Sequence, residues 1–219
     1  MRTRGFLLSA IALGLLLFAS NVDATPIVIV NPSFEIPPLP PEGVLEGVIP
    51  GWTLNPGTSA GEFRPDAQHL APPTDGVQTA FINFGSISQV LSATLVPDFD
   101  YTLSADFFAR TTVDSCCIWP GSELDFMAGG QVLASAFIAP FVIPPGGTQT
   151  STLSFTALPG NPLIGQPLEI RIVNTLNSPQ VNVDNVRLDE INTLIPEPAS
   201  LLLVGSVLGG WIARRRKQG

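Results

Sequence analysis

Between residues 25 and 195 the apolar residues come in short runs, broken every few positions by Gly, Pro, Asn or Asp. Runs of this length bounded by turn formers read as strands. They fall at Ile27–Val30, Gln78–Phe84, Ile87–Leu91, Tyr101–Ala109, Glu123–Met127, Val132–Ile138, Thr150–Thr156, Leu168–Val173 and Val181–Leu188. Alternation is plainest in Leu168-Glu169-Ile170-Arg171-Ile172, where Glu169 and Arg171 share one face. The last run slips phase. Val181 and Val183 have one parity, Val186 and Leu188 the other, as a β-bulge at Asp184-Asn185 would cause. No 12-residue window joins good helix formers to a 3.6-residue period, and paired prolines at 37–38, 40–41, 72–73 and 144–145 break any that might start. Nine short strands predict an all-β fold, an antiparallel β-sandwich. Segment 35–76 is long, Pro-rich and weakly periodic. It is expected to wrap the sandwich as loops, with a short strand near Gly51-Trp52-Thr53, and such loops commonly carry binding surfaces. No period of 20–50 residues repeats, which argues against solenoids and propellers.

The two ends follow a different pattern. Arg2 and Arg4 precede an apolar run from Phe6 to Phe18, and Val22-Asp23-Ala24 puts small residues at the −3 and −1 places before Thr25. That is a secretory signal peptide over 1–24, a hydrophobic signal helix. The run is short for a retained anchor, which needs roughly 20 apolar residues. At the other end, Ala199 to Ala213 is uncharged and is followed by Arg214-Arg215-Arg216-Lys217. As a helix this stretch would reach only about 22 Å, short of a ~30 Å hydrocarbon core. The cations after it would stay cytoplasmic. Such a tail can hold a chain in the inner membrane transiently, with the domain outside; a plain single-span C-terminal anchor is the alternative.

Pro196-Glu197-Pro198, the short apolar helix and the cluster Arg214, Arg215, Arg216 together resemble the PEP-CTERM sorting signal of Gram-negative bacteria. The resemblance covers residues 196–219. It implies export, recognition by an exosortase, cleavage near Pro-Glu-Pro and delivery to the cell surface or the extracellular polysaccharide matrix. The apolar tail is then a temporary handle, like other removed tails.

Composition sharpens this picture. The 25–195 domain holds four basic residues (Arg64, Arg110, Arg171, Arg187), no Lys and sixteen acidic ones, a net of −12. A surface so acidic repels phosphate backbones, so nucleic acid is not an expected partner. His69 is the single histidine, which excludes a His-triad metal site and two-His chemistry.

A second resemblance runs through the domain. Asn31-Pro32-Ser33-Phe34-Glu35, Pro50-Gly51-Trp52, Asp75-Gly76, Ser88-Gln89-Val90-Leu91, Asp100-Tyr101-Thr102-Leu103 and Val183-Asp184-Asn185-Val186-Arg187-Leu188 occur in an order that resembles the galactose-binding-like jelly roll of many carbohydrate-binding modules. The resemblance implies a structural Ca²⁺ between Glu35, near the first strand, and Asp184, in the last. A hard cation taking 6–8 oxygens, many from backbone carbonyls, would tie the two termini together. The competing reading of Asp184 is a capped turn, its carboxylate bonded to backbone N–H groups.

Other candidates follow from residue type. Trp52, Phe63, His69, Tyr101 and Trp119 are rings that could stack on sugars. Trp52, after Gly51, reads more readily as a core plug. Trp119, in the loop Ser115-Cys116-Cys117-Ile118-Trp119-Pro120-Gly121, is the better exposed contact. Cys116 and Cys117 are a disulfide candidate in an oxidising compartment. Adjacent cysteines close only a strained ring, so an intermolecular bridge or free thiols stand as alternatives. Glu123 and Asp125 share a face, the one carboxylate pair to consider for glycoside hydrolysis, against a solvated acidic face. No phosphate loop or cofactor fingerprint is present.

The expectation is therefore an exported, non-catalytic cell-surface or matrix protein, sorted by exosortase and associated with extracellular polysaccharide. A glycan-binding module using Trp119 and Trp52 is the alternative, and a glycoside hydrolase stands third.

Overall fold

The computed structural model describes residues 24–112, 119–176 and 179–194, and these form eleven strands with no helix among them. They are β1 (Thr25–Pro26), β2 (Val44–Glu46), β3 (Thr53–Leu54), β4 (Ser59–Phe63), β5 (Thr79–Thr94), β6 (Phe99–Phe108), β7 (Ser122–Ala128), β8 (Gln131–Ile138), β9 (Thr148–Ala157), β10 (Pro167–Asn174) and β11 (Val181–Asn192). All pair antiparallel.

Two layers result, and β5 belongs to both. Its first half pairs with β4 and with β11, in a sheet ordered β2-β4-β5-β11-β6-β9. Its second half pairs with β3 and β10, in a sheet ordered β3-β5-β10-β7-β8. The strand bends between the two at Gly85, whose φ is +84°. A Cβ there would run into Thr58, so only glycine permits this bend. The two predicted runs 78–84 and 87–91 are thus one strand passing from layer to layer.

The sandwich expectation holds, and alternation explains it. Ile82, Val181, Val183, Leu103, Ala105 and Phe107 point inward from the first sheet, and Leu124, Phe126, Leu168, Ile170 and Ile172 from the second. Burying these rings and branched side chains is the main force holding the layers together. Tyr101 packs on Phe126 at 5.3 Å, and its buried hydroxyl accepts the Val96 N–H (2.9 Å). The last strand shifts register between Asp184 and Arg187, and Asn185 takes φ +53°, the bulge that its phase slip predicts. First and last strands are neighbours, Thr25 opposite Glu190 and Pro26 opposite Asp189.

In segment 35–76 the short strand expected near Gly51-Trp52-Thr53 is β3, but β2 and β4 stand where loops were expected. β4 reads Ser-Ala-Gly-Glu-Phe, with no β-branched residue to announce a strand. It forms because its small residues fit a crowded place: a Cβ on Gly61 would come within 2.8 Å of Phe81 Cζ. Residues 1–23 of the expected signal peptide, the candidate disulfide pair Cys116 and Cys117, and the whole 196–219 tail lie outside the described residues. Among the described residues no helix is long and apolar enough to cross a membrane.

Candidate functional site

The outer face of the first sheet is the part that packing does not explain. Directly paired residues in antiparallel strands share a face. Three rows follow. Phe81 pairs with Asn182, and Asn182 with Phe108. Toward one end of the sheet lie Asn83, Gln180 and Arg110; toward the other lie Phe63 paired with Thr79, and Asp184 paired with Asp106. Phe63, Phe81, Phe108 and Leu70 are buried yet stand apart from the core cluster between the sheets. They make a second, smaller apolar layer.

Segment 64–78 covers this layer. Asp184 Oδ2 accepts the backbone N–H groups of Thr74 and Asp75 (2.9 Å each), and Oδ1 that of Asn185 (2.7 Å). Burial pushes the Asp184 carboxyl up to about 7; the three N–H donors pull against this, and the nearby Asp75 charge adds to it. Asp106 accepts hydrogen bonds from Thr150 Oγ1 (2.6 Å), Thr74 Oγ1 (2.7 Å) and Asn185 Nδ2 (3.0 Å), with Arg187 at 3.7 Å. Burial works against its charge, but these partners outweigh it and hold the carboxyl below the usual range. Thr111 N–H donates to His69 O (3.0 Å), fixing the middle of the cover.

Beside the cover a cavity of about 200 Å³ opens, lined by Val44, Glu46, Phe63, Phe81, Asn83, Arg110 and Gln180. Its floor is two phenyl rings. Its polar wall is already knitted together: Arg110 donates to Gln180 Oε1 (2.8 Å), Gln180 Nε2 donates to Asn83 Oδ1 (3.0 Å), and the Arg110 guanidinium lies 5.3 Å from the Phe63 ring centre. Such a cavity suits a flat, apolar molecule with polar atoms at its edge.

The predicted site residues are scattered relative to this face. Trp119 is a correction: it is buried, edge-on to Phe107 at 6.0 Å, because its large ring gains more by filling the core than by facing solvent. Trp52 is also buried, 5.5 Å from Phe34, and its Nε1 donates to Asn31 O (3.2 Å). Tyr101 is a core residue. Phe63 reaches the cavity, whereas His69 pairs with Asp66 (2.6 Å) in the cover. Asp125 is fully buried, not part of a solvated face, and its carboxylate takes Arg171 Nε and Nη2 (2.8 Å each) and the Ser135 hydroxyl. That ion pair leaves it no role beside Glu123 in glycoside hydrolysis.

Glu35 and Asp184 meet the same loop. Glu35 Oε1 accepts the N–H groups of Val77 (2.6 Å) and Gln78 (2.7 Å). Among the described residues no group of three His, Cys, Asp or Glu side chains is arranged to hold a metal ion. A calcium ion here would need backbone carbonyls beside the two carboxylates, which suits its large oxygen shell. Burial also pushes Glu62, on the inner face of β4, up to about 7, with the Asn31 hydrogen bond opposing and the Glu35 charge adding. The rest of the site was missed in the sequence. Gln180, Asn182 and Asp184 alternate with Val181 and Val183. That alternation was the one available signal for a polar row on the outer face.

The fold and this face define a jelly roll with a covered aromatic surface. Residues 25–189 match the HpiC1-like family, described as HpiC1 cyclase, and the chain belongs to that family. Residues 194–217 match the PEP-CTERM protein-sorting motif, which implies exosortase processing and export to the cell envelope or surface. An apo cyclase from Fischerella sp. is similar at 27% identity and TM-score 0.70, over 78% of this chain and 98% of that one. A Stig cyclase from Fischerella sp. TAU, in complex with (3Z)-3-(1-methyl-2-pyrrolidinylidene)-3H-indole, gives 26%, 0.69, 77% and 98%. A cyclase from Fischerella sp. TAU in complex with 4-(1H-indol-3-yl)butan-2-one gives 27%, 0.65, 76% and 98%. No curated protein matches the chain at a significant level. The expectation of a non-catalytic domain is overturned: the family and these structures point to a cyclase-type enzyme fold.

Proposed function

We propose that this exported domain is a cyclase that folds a planar, apolar ring substrate of the indole class onto Phe63 and Phe81. The cavity floored by those two rings carries the reading. Ring closure needs two parts of one molecule held together, and a small rigid cavity supplies that by restricting conformers. The indole compounds bound by the two Fischerella structures set the substrate class. Titrating the purified domain with indole by intrinsic fluorescence or calorimetry tests this. Saturable binding that Phe63→Ala and Phe81→Ala each weaken about tenfold is the expected result. Unchanged binding in both variants refutes it.

The tail gives this activity its place. Exosortase sorting would carry the domain through a transient inner-membrane stage to the surface, beside extracellular polysaccharide, as partner or surroundings. A glycan site is a second use of the same cavity, favoured by its amide and guanidinium wall; a polysaccharide pull-down that survives excess indole would support it. Calcium is the cofactor proposed, held by Glu35, Asp184 and loop carbonyls. The observation favouring it is the crowding of Glu35, Asp75 and Asp184 around one loop, a charge excess a cation would relieve.

A further inference from the structure

Asn182 is completely buried, and neither its Nδ2 nor its Oδ1 has a hydrogen-bond partner. Buried amides are almost always paired, so this one calls for an explanation. Its neighbours cannot supply a partner. Phe81 and Phe108 flank it across the sheet. The side chains next to it on the same strand are committed elsewhere, Gln180 to Asn83 and Arg110, Asp184 to the backbone of Thr74, Asp75 and Asn185. Three of these surrounding residues, Phe81, Gln180 and Arg110, line the cavity; Asn182 lies behind them and does not itself line it, so a ligand reaches its amide only by displacing part of that wall. Thr79, whose Oγ1 is likewise buried without a partner, lies two residues from Phe81 on the same face.

We propose that Asn182 is the polar anchor of the cavity, its Oδ1 accepting the ring N–H of a neutral aromatic ligand seated on Phe81. This rests on the indole-class reading above and adds what reads the nitrogen. A neutral amide suits a neutral ring. It offers an acceptor without a buried charge, and it rejects a ring that cannot donate because the amide then stays unpaired. The wall residues cannot take this part while bonded to one another, and Asp184 is occupied by the cover. Asn182 binds the ring and moves no proton.

The test compares indole with indene, in which carbon replaces the N–H at nearly constant shape. The unmodified protein is expected to bind indole at least about tenfold more tightly. Asn182→Leu is expected to bind both rings alike and to melt at a higher temperature, because an unpaired amide gives way to an apolar side chain of similar size. A purely structural Asn182 predicts the reverse: a lower melting temperature and unchanged preference for indole. Equal binding of the two rings by the unmodified protein refutes the anchor alone. Binding of neither refutes the aromatic cavity and the anchor with it. Should Asn182→Leu fail to fold, the ring comparison on the unmodified protein still decides.

Discussion

Glu35 and Asp184 hold the two ends of one five-residue loop. Asp184 takes the N–H groups of Thr74 and Asp75, Glu35 those of Val77 and Gln78, with Gly76 at φ +85° between them. The carboxylates come from opposite ends of the chain, so this loop joins the N-terminal segment to the last strand and fixes the cover over the aromatic face. Glu35→Ala and Asp184→Ala each leave backbone donors unpaired and should cost about 1–3 kcal/mol in urea unfolding. Because both act on one loop, the double variant should lose less than the sum of the singles by about 0.5 kcal/mol or more. Strict additivity would show that the two anchors are independent.

Stability should fall as pH rises. Glu62 and Asp184 both have folded-state pKa values raised to about 7, from 4.5 and 3.8. For a carboxyl raised on folding, the folded state binds the extra proton. Its contribution is complete below the unfolded pKa and is lost as pH climbs through the folded one. Each group then steepens the loss by up to about 1.4 kcal/mol per pH unit between about 4 and 7. Without calcium, the domain should unfold at lower urea at pH 8 than at pH 5, and Asp184→Asn should flatten that slope. A midpoint that rises from pH 5 to 8 would contradict it.

Calcium should counter the same penalty. An ion at Glu35 and Asp184 binds the folded state with the carboxylates charged, so it stabilises by mass action. At a hundredfold excess over its Kd this is about 2.7 kcal/mol. For a domain of this size that raises Tm by about 5–10 °C. Thermal melts at pH 8 in millimolar calcium and in chelator measure the difference, and Glu35→Ala should abolish it. Identical melts in both buffers would remove the metal.

Much of the architecture is written in local alternation. β10 shows inward Leu168, Ile170 and Ile172, and β11 shows even its bulge, because in a strand each residue's face follows from its parity. β4 was hidden, since its identity as a strand depends on the Phe81 ring lying over Gly61, a contact between distant residues. Trp119 misled for a related reason: turn formers around it describe the backbone's path, not the direction of the ring, which packs on Phe107. The candidate site is built across β4, β5, β11 and β6, so no spacing along the chain displays it. The Gln180-Val181-Asn182-Val183-Asp184 alternation announced its polar row but not the two unpaired amide atoms. Enzyme class was out of reach, because a cavity that shapes an apolar ring needs no nucleophile, metal triad or phosphate loop for a motif to reveal.

The sorting tail makes the last prediction. The proposed export route treats Ala199 to Ala213, about 22 Å as a helix against a ~30 Å hydrocarbon core, as a temporary span whose far end Arg214, Arg215, Arg216 and Lys217 would keep inside. A tail that functions as a temporary handle should be missing from the surface protein. Mass spectrometry of mature protein from an exosortase-bearing host should find a C-terminus near Pro196-Glu197-Pro198, with Trp211 and the arginines gone. Substituting Glu197→Ala should leave an uncleaved, membrane-associated form. Cleavage needs that recognition element in reach, and β11 ends at Asn192, only four residues before Pro196. Inserting a flexible Gly-Ser linker after Leu194 should therefore preserve or speed processing, whereas recovery of full-length surface protein from the unmodified gene would show that the tail is an anchor.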